Sequence, residues 1–280
     1  MTLASRFGHT ERLAAALVAR HDLAAAVRIL NEAGVIPMPL KGVLLQHVVY
    51  QDPADRMLSD ADLLAPPGRF GDAIAALRAA GHRVSPEGRA GCATQGPDAR
   101  LEVDVHRRVF PPGLYALPGR QMFARGRIDE TLFDGVVVVP APLDVYAHLV
   151  GNFAKGRHVA GDLPQLRDFS AVASRFALSP PRVARHLVLH GLARAARYTL
   201  AHAAEGGDAF AAEVLRALPT DRVGQATAAA ARRLATRYEG SPWSLVAPHL
   251  VNRTLPRGAA SAVAHVALGL RSRIETRLKR

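Results

Sequence analysis

Met38-Pro39-Leu40-Lys41-Gly42, followed by Tyr50-Gln51-Asp52-Pro53-Ala54-Asp55-Arg56-Met57-Leu58-Ser59-Asp60-Ala61-Asp62-Leu63-Leu64, is the stretch on which the reading of this chain turns. It reads as a lysine-glycine turn, one helix, a tight loop, and a strand carrying two aspartates one residue apart. Residues i and i+2 of a strand project from the same face, so Asp60 and Asp62 set two carboxylates side by side. Like charges held that close are relieved by a proton or a cation. Two hard oxygen ligands suit Mg²⁺, which takes one or two carboxylates together with phosphate oxygens and water. The stretch points to metal-dependent phosphate chemistry.

Upstream, residues 10 to 33 carry apolar side chains at helical spacing (Leu13, Leu17, Leu23, Val27, Leu30). They predict two short helices or one bent one, with Thr10 and Asp22 as caps and Gly34 as the stop. Val35 to Leu40 is the first strand, and Pro37 and Pro39 restrict it to an edge or an irregular strand. Val43 to Tyr50 is a short helix, and Met57 to Leu64 is the carboxylate strand. Downstream come a helix over 69–80, a strand near 82–84, and a Gly/Pro-rich loop over 85–99. Leu101 to His106 then alternates with period two, turning Glu102, Asp104 and His106 to one face. A loop over 111–119 and a strand over 136–139 complete the front half. From 143 only helical patterns remain, at 143–155, 163–176, 181–203, 207–217 and 222–238. A Pro-containing connection over 240–257 leads to a last helix over 258–278. The expected domains are an α/β core over 1–140 and a helical domain over 141–280.

The 280-residue chain is 49% hydrophobic and 21% charged, the composition of a folded protein. Its one cysteine, Cys92, excludes an internal disulfide and a cysteine-based zinc cluster, and predicts a cytoplasmic location. No stretch reaches the roughly 18 consecutive apolar residues of a membrane span, and residues 1–12 lack the basic n-region and apolar h-region expected of a secretory signal. The net charge of +12 is carried almost wholly by arginine, with lysine only at 41, 155 and 279. It favours anionic partners such as nucleotides, phosphorylated substrates or RNA. The 5% aromatic content argues against a stacking platform for single strands.

Leu40-Lys41-Gly42, the Tyr50…Asp52-Pro53…Arg56 loop, Asp60-Ala61-Asp62-Leu63-Leu64 and the later Asp104-Val105-His106 resemble an uncharacterised family of nucleotidyltransferases within the DNA polymerase β-like superfamily. Asp144-Val145-Tyr146-Ala147-His148-Leu149 and Leu166-Arg167-Asp168-Phe169 match its helical half, and the resemblance spans roughly 10–240. It implies an α+β fold: a small mixed β-sheet core with flanking helices, followed by an all-helical region. It also implies Mg²⁺, as two ions with Mn²⁺ as the alternative, and an NTP donor. The acceptor would be a small molecule, peptide, protein or RNA. Asp60 and Asp62 would hold the metal-bound triphosphate, and Asp104 would complete the site as ligand or general base. Lys41 would meet the β- and γ-phosphates, and Gly42 would let the backbone approach them. The turn is Lys-Gly where the superfamily usually has Gly-Ser, and Arg107 stands where the family commonly has an aromatic.

Around this set the alternatives are open. Glu102 shares the face of Asp104. Arg56 either clamps a phosphate or pairs with Asp52 or Asp55. His106 either supports a carboxylate or ligates metal. His148 and Asp168 read as interdomain hydrogen-bonding residues. His186 and His190 have zinc-compatible spacing but no third ligand in the sequence. The basic end (Arg271, Arg273, Arg277, Lys279, Arg280) reads as a charged helix tip or a membrane-surface contact. Against the enzyme stand two other readings: an inactive nucleotide-binding or RNA-binding module that keeps the fold, and a nucleic-acid-binding regulator.

Overall fold

The computed structural model describes residues 8–88, 90–112, 114–156, 164–237 and 250–252. The Ala/Leu periodicity of the N-terminal segment yields one helix, α1 (His9–Glu32), with Leu23, Val27 and Leu30 buried along one stripe. Gly8, not Thr10, is its N-cap, and the Glu11 carboxylate accepts from the Gly8 amide at 2.9 Å. Asp22 does not open a second helix. Its Oδ2 accepts from the amides of Arg100 and Leu101, at 2.8 and 2.9 Å, and so ties α1 to the start of a later strand. The chain leaves α1 through Gly34 at φ 69°, a left-handed turn that glycine makes without strain.

Strand β1 (Met38–Leu40) runs directly into α2 (Lys41–Val48), and a one-turn 3₁₀ segment (Pro53–Asp55) leads to β2 (Asp60–Leu64). Helix α3 (Phe70–Ala79) follows, then β3 (Arg83–Val84), β4 (Gly91–Gln95) and β5 (Glu102–His106). The five strands form one sheet in the order β1-β2-β5-β4-β3. Only β2 and β5 are parallel, and β1 is an edge, in keeping with Pro39 inside it. The segment expected as a loop over 85–99 contains β4. Its sequence, Gly-Cys-Ala-Thr-Gln, lacks the large alternating side chains that announce a strand. Ala61 and Leu63 pair with Val103 and Val105 on the apolar side of the central strands, and all four are buried.

Helix α4 (Gly119–Arg125) and the two-stranded sheet β6 (Arg127–Asp129)–β7 (Val137–Val139) come next. The helices that follow are α5 (Pro142–Gly156), α6 (Pro164–Arg175), α7 (Pro180–Leu189), α8 (Ala193–Glu205), α9 (Ala209–Ala217) and α10 (Arg222–Arg237). The single helix expected over 181–203 is two. Gly191, at φ 67°, takes the left-handed conformation that ends α7. The connection over 240–257 and the helix over 258–278 lie outside the described residues, apart from 250–252.

The architecture is the expected α+β one, a mixed sheet with helices and a helix-rich remainder. The chain forms two compact units. The first comprises the described residues within 1–111, 117–149 and 164–178, and holds both sheets. The second comprises those within 112–116, 150–163 and 179–280. In it α8 contacts α7, α9 and α10 around buried Leu187, Tyr198, Leu200 and Val214. Among the described residues no helix is long and apolar enough to cross a membrane.

Candidate active site

The parallel register of β2 and β5 sets Asp60 opposite Glu102, Asp62 opposite Asp104, and Leu64 opposite His106. Paired residues share a face of the sheet, so one stretch of it carries four acidic side chains and an imidazole. Asp62, Asp104 and His106 each offer one ligand atom, and these atoms all lie within 4.8 Å of one another. Asp60 is outside that group, and its Oδ1 accepts from Ser59 Oγ at 2.7 Å. Two carboxylate oxygens and an imidazole nitrogen this close are a donor set that fits a divalent cation.

Asp62 is 3% exposed. Burial alone would push its pKa up. The hydrogen bond from His106, the charges of Lys41 and His106, and the Lys41 hydrogen bond outweigh burial and hold it well below the usual carboxylate range. An ionised carboxylate only accepts, so the His106 Nε2, 2.7 Å from Asp62 Oδ1, must carry the proton. His106 Nδ1 is buried with no hydrogen-bond partner. Of the two sequence alternatives, the described contact of His106 is support of a carboxylate. The Lys41 ammonium donates to the same Oδ1.

Lys41 reaches Asp62 because β1 ends opposite it, with Leu40 paired to Asp62. The turn into α2 puts Lys41 at φ 51°, left-handed backbone for a residue with a Cβ. Gly42 stands against protein: a Cβ there would lie 3.1 Å from Leu58 Cδ2 and 3.3 Å from Arg56 Nη2. Arg56 pairs with neither Asp52 nor Asp55. Its Nε donates to Asp168 at 3.1 and 3.2 Å to the two oxygens, and its Nη1 donates to the Met57 carbonyl at 2.9 Å. Asp168, on α6, is fully buried and also accepts from the Tyr50 hydroxyl at 2.7 Å. Burial pushes its pKa up, against the opposing Arg56 charge and the Tyr50 hydrogen bond. Asp52 instead caps its own turn, accepting from the Ala54 amide at 2.8 Å, and lies 2.7 Å from His9 Nε2.

Gln46 escaped the sequence reading. It is fully buried, and its Nε2 donates to the carbonyls of Pro53 and Arg56 at 3.2 and 2.9 Å, fixing the loop ahead of β2. Its Oε1 accepts from Arg20 Nε at 3.0 Å. The available signal was one amide within the apolar run Val43-Leu44-Leu45-Gln46-His47-Val48. His148 is buried, with its ring 5.4 Å from that of Phe110. His190 Nδ1 lies 2.9 Å from the Ala116 carbonyl oxygen, to which it donates.

Residues 7–206 match a family model described as uncharacterised nucleotidyltransferase. Among solved structures, the solution structure of the antibiotic-resistance factor ANT(2'')-Ia is similar at 13% identity and TM-score 0.41, over 57% of this chain and 84% of that one. The crystal structure of ANT(2'')-Ia in complex with adenylyl-2''-tobramycin is similar at 15% identity and TM-score 0.40, over 57% and 90%. No curated protein matches the chain.

Proposed function

The chain belongs to the uncharacterised nucleotidyltransferase family, and from that premise we propose that it is a Mg²⁺-dependent enzyme moving an NMP from an NTP to an acceptor. The acceptor presents a hydroxyl or phosphate oxygen, which bonds to the α-phosphorus. The bond from that phosphorus to the bridging oxygen breaks, and pyrophosphate leaves. The observation that carries the reading is the convergence of Asp62, Asp104 and His106 within 4.8 Å, with the Lys41 ammonium on Asp62.

Asp62 and Asp104 would hold the divalent ion from adjacent strands, and Asp60 would join them at the triphosphate from the same face of β2. Bound there, Mg²⁺ or Mn²⁺ polarises phosphoryl oxygens and stabilises the attacking and leaving oxygens. His106 keeps Asp62 ionised and oriented through Nε2–H. Asp104 stands as ligand or as acceptor of the hydroxyl proton. Lys41 supplies a point charge for the β- and γ-phosphates, Arg56 a second cation beside Gly42, and both lower the cost of gathering triphosphate charge. The single Cys92, buried and free, accords with a reducing cytoplasm.

The test needs no acceptor. The thermal midpoint is measured with each of ATP, GTP, CTP and UTP plus Mg²⁺, for wild type and for Asp62→Asn. A ligand that binds only the folded state raises the midpoint, by about 2.7 kcal/mol of stability at a hundredfold excess over Kd. The expected result is a Mg²⁺-dependent shift with at least one NTP that is lost in Asp62→Asn. No shift with any of the four at millimolar concentration overturns the reading.

A further inference from the structure

Arg56 is held from one side and borders the Lys41–Gly42 turn on another. Its Nε is committed to Asp168, and its Nη1 to the Met57 carbonyl. None of the described hydrogen bonds uses Nη2, and this is the nitrogen that a Cβ at Gly42 would meet at 3.3 Å. The guanidinium thus presents its remaining donors to the Lys41–Gly42 turn. On the far side Asp168, 112 residues along the chain, is fully buried and further fixed by the Tyr50 hydroxyl. Fold stability alone does not call for such a pair, because well-packed apolar residues commonly replace a buried ion pair at no loss. What the pair does secure is the orientation of a planar fork whose two edges can serve two anions at once.

We propose that Asp168, with Tyr50, is a positioning residue of the nucleotide site: it holds Arg56 so that Nη2 faces the Lys41–Gly42 turn and donates to a phosphate oxygen of the NTP. The inference rests on the nucleotidyltransferase reading. It adds α6 to the donor site, through the hold of Asp168 on Arg56. The physical gain is preorganisation. An arginine free in solvent gives up rotamer freedom when it meets a phosphate, whereas one already clamped has given it up on folding. Lysine at 56 offers one point charge on a flexible stem and lacks the planar fork that holds two anions in a fixed geometry.

The test is a double-mutant cycle read on ligand affinity. Isothermal titration with Mg²⁺ and the four common NTPs is run on wild type, Asp168→Asn, Arg56→Met and the double variant, well below every thermal midpoint. Asp168→Asn is expected to weaken NTP binding about tenfold, and to cost nothing further once Arg56 is Met. A purely structural Asp168 gives losses that add. Wild-type affinity in folded Asp168→Asn, or additive losses, overturns the inference and leaves the nucleotidyltransferase reading intact. A wild type that binds none of the four NTPs overturns both. Should Asp168→Asn not fold, the same cycle with Tyr50→Phe decides: affinity loss coupled to Arg56 supports the inference, and unchanged or additive affinity rejects it.

Discussion

Lys41 holds a backbone conformation that glycine would adopt freely, with φ at 51° on the first residue of a helix, while its ammonium rests on Asp62. A non-glycine residue in this region carries strain of about 1 kcal/mol or more. Strain and charge can be separated experimentally, because Lys41→Gly and Lys41→Ala both remove the amine and only one keeps the Cβ. The glycine variant is expected to be the more stable of the two by about 1 kcal/mol in urea denaturation, after the entropy glycine gains in the unfolded chain is allowed for. Equal stability would show that the turn relaxes. At this scale the sequence was legible where function and spacing coincide. Asp62, Asp104 and Lys41 were found from a strand face and a turn, and the structure brings them together. The partner of Arg56 was not legible. Asp52 and Asp55 are its neighbours in sequence, but Asp168 lies a hundred residues away, and only the packing of α6 brings it near.

Among the elements, β5 carries Asp104 and His106 and is held between β2 and β4. Gly91, at the start of β4, pairs with His106. A Cβ there would fall 1.9 Å from the Val105 carbonyl oxygen and 2.8 Å from the His106 Cα. Both are backbone atoms, so neither can rotate away. Gly91→Ala is therefore expected to displace β5 and to cost about 2–3 kcal/mol. Its chemical denaturation midpoint should fall, and its NTP-induced thermal shift should shrink at the same time. A variant with wild-type values in both would mean that β4 slides without loss. The same strand explains the main gap in the sequence reading. Strands β2 and β5 declare themselves through carboxylates set among Ala, Leu and Val, whereas β4 is mostly small residues, and its Gly91 leaves no room for a Cβ against β5. The break at Gly191 was missed for a related reason: the periodicity of α7 resumes in α8, and one glycine in a helical pattern is a weak signal.

For the whole molecule, the two units interleave along the chain, with 164–178 grouped with the sheet and the described residues 150–156 with the later helices. Grouping of this kind comes from long-range packing and leaves no step in composition. In the second unit His202 is 3% exposed, against Phe153 and Tyr198, and neither ring nitrogen has a hydrogen-bond partner. Burial lowers its pKa to about 4, with the Arg232 charge adding to this and Glu205 opposing it. A histidine in the unfolded chain titrates near ~6.5. Between those values the unfolded state binds a proton that the folded state refuses, so this stabilisation is complete above ~6.5 and is lost as pH falls toward 4. His47, lowered to about 4 by burial and the Arg20 charge, adds to the same slope. Thermal midpoints from pH 7.5 to 4.5 are expected to fall less steeply for His202→Phe than for wild type, and parallel profiles would refute the assignment. The central strand pair also has a temporal meaning. His106 follows Asp62 by 44 residues, with a helix and two strands between them, and parallel strands cannot meet until that whole loop has closed. Closure of this kind is slow. The opposed carboxylates of β2 and β5 therefore repel one another only once that loop has closed, and the shorter-range pairing of β4 with β5 proceeds free of that cost.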